Sequence, residues 1–82
     1  MNPDIARLVY AYGENVARRE RIGHDARYEY TFRVLDSRCG RLWREMIAAG
    51  CYEDAEYSRL KPEWVAYYQA GLSGTAFEAV NP

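Results

Sequence analysis

The one histidine, His24, and the two cysteines, Cys39 and Cys51, are the side chains from which metal or thiol chemistry would have to be built. A zinc site needs three or four ligands at short, compatible spacings, and these three lie far apart, in no CxxC or CxxH pattern. Thiol catalysis needs a thiolate beside a base. Cys39 falls instead on an apolar stripe and Cys51 in a corner after Gly50, both places where a thiol packs and stays inert. Glu53, Asp54 and Glu56 cluster as paired acids for proton transfer would, but an acidic turn at a helix start serves the helix dipole in the same way. No glycine-rich phosphate loop is present. The chain therefore reads as non-enzymatic, with no catalytic, cofactor-binding or metal residue, and His24 as a solvated residue of a connection.

The residues that packing leaves unexplained are aromatic and basic. Tyr10, Tyr30 and Tyr67 fall off the apolar stripes of their helices by the 3.6-residue count, and tyrosine brings contact area to an interface at small entropic cost. Arg18 and Arg19, with Arg21 close by and Arg27 and Arg33 after the next connection, could gather into a basic patch. Glu14, Glu20 and Glu29 are interleaved with them, so a charged, solvated face is the plainer outcome. Tyr10, Arg18, Arg19, Tyr30 and Tyr67 are thus the expected protein-binding residues. Trp43 and Trp64 read as core anchors, with a ligand pocket beneath them as the lesser reading.

Those side chains have to be positioned by a single small domain, since 82 residues bury only about two-thirds of the surface of their unfolded chain. Hydrophobic residues make 49% and charged residues 28%, the composition of a globular protein rather than a disordered one. The net charge of −1 disfavours bulk electrostatic binding of nucleic acid. That charge is split: residues 1–44 carry nine arginines against six acids, a balance of +3, and residues 45–82 carry six acids against Arg59 and Lys61, a balance of −4. Opposed halves can attract one another within a chain or between copies. No run approaches the roughly 20 apolar residues of a membrane span, and nothing at the start resembles a signal segment, so a reducing cytoplasm is the expected location.

The central stretch is residues 28–49, where Tyr28, Phe32, Leu35, Cys39, Leu42, Met46 and Ala49 alternate by four and three, the spacing of a stripe down one helix face. Before it, Asn2 as cap, Pro3 in the first turn and Asp4 at the positive dipole end start a helix. Its apolar face is Ile5, Leu8, Val9, Tyr12 and Val16, and it closes at Gly23; Gly13 in its middle marks a close approach by a neighbour. Asp25 caps the central helix, whose soft spot is Asp36, Ser37 and Gly40. Gly50 takes a left-handed position, Tyr52 plugs the corner, and a short helix is expected from about 53 to 60. Pro62 starts a last helix over 62–70, closed by Gly71, with Trp64, Val65, Tyr68 and Leu72 toward the core. The fold class is all-α, a bundle of three to four helices with the second long and central. It occupies residues 1–72, and 73–82 form a flexible tail.

A second reading starts from strict alternation over residues 27–34, with Tyr28, Tyr30, Phe32 and Val34 on one side and Arg27, Glu29, Thr31 and Arg33 on the other. With 27–35 as a strand, a helix to Ala49, the Gly50-x-Tyr52-x-x-Ala55 turn and a second helix, roughly half the chain resembles the ribbon-helix-helix family of DNA-binding regulators. That resemblance implies a dimer laying Arg27, Glu29, Thr31 and Arg33 in the major groove. Pro62 interrupts the second helix early and Glu29 would oppose phosphates. The expectation is therefore a small helical protein-interaction module, suited to a bacterial or phage regulator or inhibitor that binds a larger protein. A homodimer is compatible with it, nucleic acid is disfavoured and a membrane is not expected.

Overall fold

Asn2, Pro3 and Asp4 begin the first helix as their chemistry requires. In the computed structural model, which describes residues 2–54 and 57–81, the Asn2 side chain accepts from the Asp4 N–H at 2.9 Å. Helix α1 then runs Pro3–Ile22, and the Gly23 N–H closes it on the Arg19 carbonyl.

Asp25 does act as a cap, but of a single 3-10 turn, Ala26–Tyr28, whose Arg27 N–H it accepts at 3.0 Å. The long helix α2 begins behind that turn and spans Glu29–Ala48 without a break. Residues 27–35 thus form no strand, and the ribbon required by the ribbon-helix-helix reading does not exist. The four-three stripe prevails over the two-residue alternation because it is longer and has a neighbour to bury it: Leu35, Cys39, Leu42 and Met46 are all buried. The β-favouring Tyr30 and Val34 are left on the outside. Asp36, in the expected soft spot, is held to α1 through Arg19 at 2.8 Å.

Gly50 adopts the left-handed conformation expected of it, with φ of 76°, and the Cys51 N–H turns back to the Met46 carbonyl. The short helix expected from 53 to 60 is not formed by the described residues there; Ala55 and Glu56 lie outside them. The strand-like pairing of Tyr52 with Leu60 closes a loop instead, flanked by Glu53 N–H to Arg59 carbonyl and Lys61 N–H to Cys51 carbonyl. The backbone groups of Cys51, Glu53, Arg59 and Lys61 are used in that pairing and not in helical turns.

Helix α3 covers Pro62–Ser73, three residues beyond the expected end. Its left-handed cap is Gly74, with φ of 75°. Gly71 stays helical because it serves another purpose. A Cβ there would run into the Tyr10 carbonyl oxygen, and one on Gly13 into that of Tyr68. The two glycines let the backbones of α1 and α3 touch, which is the close approach expected at Gly13. Past Gly74 the chain does not trail off as a loose tail: the short helix α4, Phe77–Val80, returns Phe77 to the core. Tyr10 meets the Phe77 ring edge-on at 5.4 Å, and the Tyr10 hydroxyl donates to the Thr75 carbonyl at 2.6 Å. A lone phenylalanine carries no period, so the sequence gives no sign of it.

Helix α2 is long, as expected, and α1 equals it at 20 residues; α1 is the hub on which both α2 and α3 lean. Helices α1 and α2 are antiparallel, Arg19 facing Asp36. Helices α1 and α3 run in the same sense, Tyr12 beside Tyr68 and Gly13 beside Gly71. The main core joins Ala6 and Val9 of α1, Met46 of α2, Cys51, Trp64 and Tyr67 of α3, and Phe77. The result is a slab of 40 × 30 × 17 Å. Because α2 and α3 stand on either side of α1, a cleft opens between them with α1 as its floor. Among the described residues no helix is long and apolar enough to cross a membrane.

Candidate interaction surfaces

The five expected contact residues separate. Tyr67 is 6% exposed, a core residue whose hydroxyl donates to Asn81 Oδ1 at 3.0 Å. Its place off the α3 stripe came from counting without α4, which covers it. Tyr10 is likewise engaged with Phe77 and Thr75. Arg19 is half-buried in its ion pair with Asp36, with Glu20 at 3.6 Å. Arg18 is exposed, on the opposite side of α1 from the cleft, beside Arg21 and the end of α3. Tyr30 is 80% exposed. The five do not form one surface.

Tyr30 belongs to a surface that is not apparent from the sequence. Positions 30, 33, 34, 37, 41 and 44 lie on the side of α2 away from its buried stripe, and 38 lies on the flank between them. Arg33, Val34, Ser37, Arg38, Arg41 and Arg44 line a continuous shallow groove there, about 16 Å of helix in length. Arg33 is held by Glu29 at 2.8 Å. Among the described residues, Arg38, Arg41 and Arg44 have no carboxylate within ion-pair distance. Like charges three residues apart on a helix repel by a few tenths of a kcal/mol per pair, so this face carries a small standing cost. Counting charge by chain segment hides the stripe. Counting it by helix face, at the i, i+3 spacing of Arg38, Arg41 and Arg44, exposes it.

The second surface is the cleft over α1. Tyr12 of its floor stacks on Tyr68 of α3 at 5.7 Å and 28°. Trp43 of α2 and Tyr52 of the loop both stand perpendicular to Tyr57, at 6.1 and 6.4 Å between centroids. With Arg59, Leu60 and Val65 these rings line a half-open cleft of about 360 Å³. Tyr57 has φ of 56°, the left-handed region that a tyrosine enters only when its surroundings hold it there. Burial pushes the Tyr52 phenol up to about 12, with Tyr12 the next contributor, and burial likewise raises Tyr12 and Tyr68. All three keep their protons at neutral pH. Trp43 is thus a wall of this cleft, whereas Trp64 lies in the core, and the two do not share a pocket.

The thiols are not set up for attack: Cys39 and Cys51 are buried, unpaired, and shifted upward chiefly by that burial. His24 is exposed, its ring tilted against Phe32 at 5.4 Å. The described residues contain no group of three or more histidine, cysteine or acidic side chains placed to hold a metal ion. No family model matches the chain, and neither the curated proteins nor the solved structures include a significant match to it.

Proposed function

We propose that the chain is a small, non-enzymatic protein-interaction module, acting as a regulator or inhibitor by docking the outer face of α2 on an acidic surface of a larger protein. The observation that carries this reading is the stripe of Arg38, Arg41 and Arg44, unpaired among the described residues and continuous with Val34 and the exposed ring of Tyr30. Arginine and tyrosine are enriched at interface centres, where lysine is depleted. The sequence has ten arginines and one lysine. Planar guanidinium forks along a straight helix suit carboxylates presented in a row. Two buried free thiols support a reducing compartment such as the cytoplasm. The acidic second half of the chain offers a weaker counterpart of the same kind, which supports self-association at high concentration.

The test is capture from nuclease-treated lysate of the source organism on immobilised wild type and on the double variant Arg38→Glu, Arg41→Glu. A protein held by the wild type and released by the variant, the variant keeping its helical circular dichroism, is the expected result. Equal capture by both would end the reading. Material whose retention depends on omitting the nuclease would transfer the stripe to nucleic acid. Sedimentation velocity of both chains over a concentration series reports self-association separately.

A further inference from the structure

We propose that the aromatic cleft over α1 binds a small alkylammonium cation, a ligand of the size and charge of choline. A cation is attracted to the face of a Trp or Tyr ring within about 6 Å of its centroid, and aromatic cages recognise quaternary ammonium in this way. The cleft supplies such faces. Trp43 and Tyr57 meet at 85°, and Tyr52 and Tyr57 at 88°, with centroids 6.1 and 6.4 Å apart. A cation seated in either corner lies within reach of two rings at once. The stacked pair Tyr12 and Tyr68 makes the facing wall. The cleft is half-open, and its volume of about 360 Å³ is in the range of small-molecule sites and admits a trimethylammonium group with its substituent.

Charge favours the same occupant. Elsewhere in the fold, aromatic rings are covered by the chain's own guanidiniums, Arg7 over Phe77 at 4.4 Å and Arg27 over Tyr28 at 5.5 Å. Among the described residues no such contact covers a ring of the cleft. Arg59, which lines it, is tied to Glu53 at 2.8 Å and approached by Asp54 at 3.5 Å, two carboxylates on one guanidinium. Those three side chains together carry one negative charge. Arg19, in the adjoining depression under Trp43, is neutralised by Asp36. Among the described residues that line the cleft the one cation is Arg59, already paired with carboxylates. The site is separate from the proposed docking face, because no residue of the α2 arginine stripe lines it, so either idea can fail alone.

The experiment is a titration of the full chain with choline and with its uncharged isostere 3,3-dimethylbutan-1-ol, followed by the indole N–H resonances, which distinguish Trp43 from Trp64. Saturable movement of the Trp43 signal by about 10 mM choline is expected. The isostere should bind roughly tenfold more weakly, and Tyr57→Leu should weaken choline by about three- to tenfold while Tyr57→Phe does not. Tyr57 is 41% exposed, so its replacement leaves the core intact, and the melting curve of each variant checks this. No choline-dependent movement, or equal binding of choline and isostere, overturns the proposal. So would a trimethyllysine peptide bound tenfold more tightly than choline, since it would assign the cleft to a partner's side chain.

Discussion

Helix α1 meets its two neighbours by different means. Against α3 it brings Gly13 onto Gly71, so that backbone lies on backbone and a single added carbon has nowhere to go. The contact is then buttressed by Val9, Trp64, Tyr67 and Phe77 in one cluster. Against α2 it meets longer side chains, Leu35, Cys39 and Leu42, with the Arg19–Asp36 ion pair toward the open end and a buried polar side chain, Asn15, on its own buried surface. The first contact has one solution, because carbonyl oxygens do not change rotamer. The second can be adjusted by side-chain movement, and the proposed docking helix is the one held in the adjustable way. This asymmetry suits a module that presents α2 to a partner while keeping α1, α3 and α4 as a rigid support.

Adding a methyl group at the α1–α3 contact and, for comparison, on α2 at Gly40, where no α1 atom lies within 4 Å, should give the largest difference. Gly71→Ala and Gly13→Ala gain helix propensity of about 1 kcal/mol but force the α1 and α3 backbones apart. A net loss of about 3 kcal/mol each is expected, at the upper end for overpacking, measured by urea unfolding. Gly40→Ala in α2 meets only the tip of Arg44, at 3.4 Å. It should leave stability unchanged or raise it by up to about 1 kcal/mol. Equal losses at all three positions would show that the backbone contact of α1 with α3 is not what makes Gly13 and Gly71 sensitive.

Deleting side-chain volume comes next. Met46 is fully buried and is the residue by which α2 enters the main core, so Met46→Ala should cost about 2.5 kcal/mol. Met46→Leu, which conserves volume, should cost less than about 1.5 kcal/mol. If the α2 contact relaxes more readily than the α3 contact, the Met46→Ala loss stays below that of Gly71→Ala in the same denaturant series.

The same asymmetry governs what is legible in the sequence. Both long helices are, because capping residues mark where α1 starts and a four-three stripe about five turns long outweighs the alternation of 27–34. Gly13 is legible as a close approach, since a glycine in the middle of a well-capped helix has no local reason to be there. Its partner is not: Gly71 comes after a nine-residue helical pattern and looks like a terminator until the crossing is seen. Phe77 and Tyr67 are misjudged together, for one covers the other across a turn that no periodicity connects. The arginine stripe and the aromatic cleft depend on which faces of α2 and α3 remain open. Those faces are set by α1 being the hub, a property of the assembled helices and not of any one stretch.

Asn15 gives a smaller effect of opposite sign. It is 7% exposed, its Nδ2 donates to the Ala11 carbonyl at 2.8 Å, and its Oδ1 is buried without a partner. A buried acceptor left unsatisfied costs about 1–3 kcal/mol. Asn15→Leu, which keeps the branching of the side chain, should therefore raise stability by about 1 kcal/mol in thermal melts after loss of the one hydrogen bond. A loss of stability would mean that the amide is satisfied in solution and that the α2 contact is as tightly specified as the α3 one.

The smallest expected effect tests the open end of that contact. Arg19 and Asp36 are 24% and 59% exposed at their side chains, so water and salt screen the pair and its contribution should be under about 1 kcal/mol. A double-mutant cycle with Arg19→Gln and Asp36→Asn isolates it, and the coupling should shrink as salt rises. The same variants bear on dynamics: with the tie removed, amide exchange should quicken in the first turns of α2, around residues 29–36, while α3 keeps its protection. Faster exchange spread equally over α2 and α3 would show instead that α1 transmits the loss to both neighbours, and the support would not be rigid.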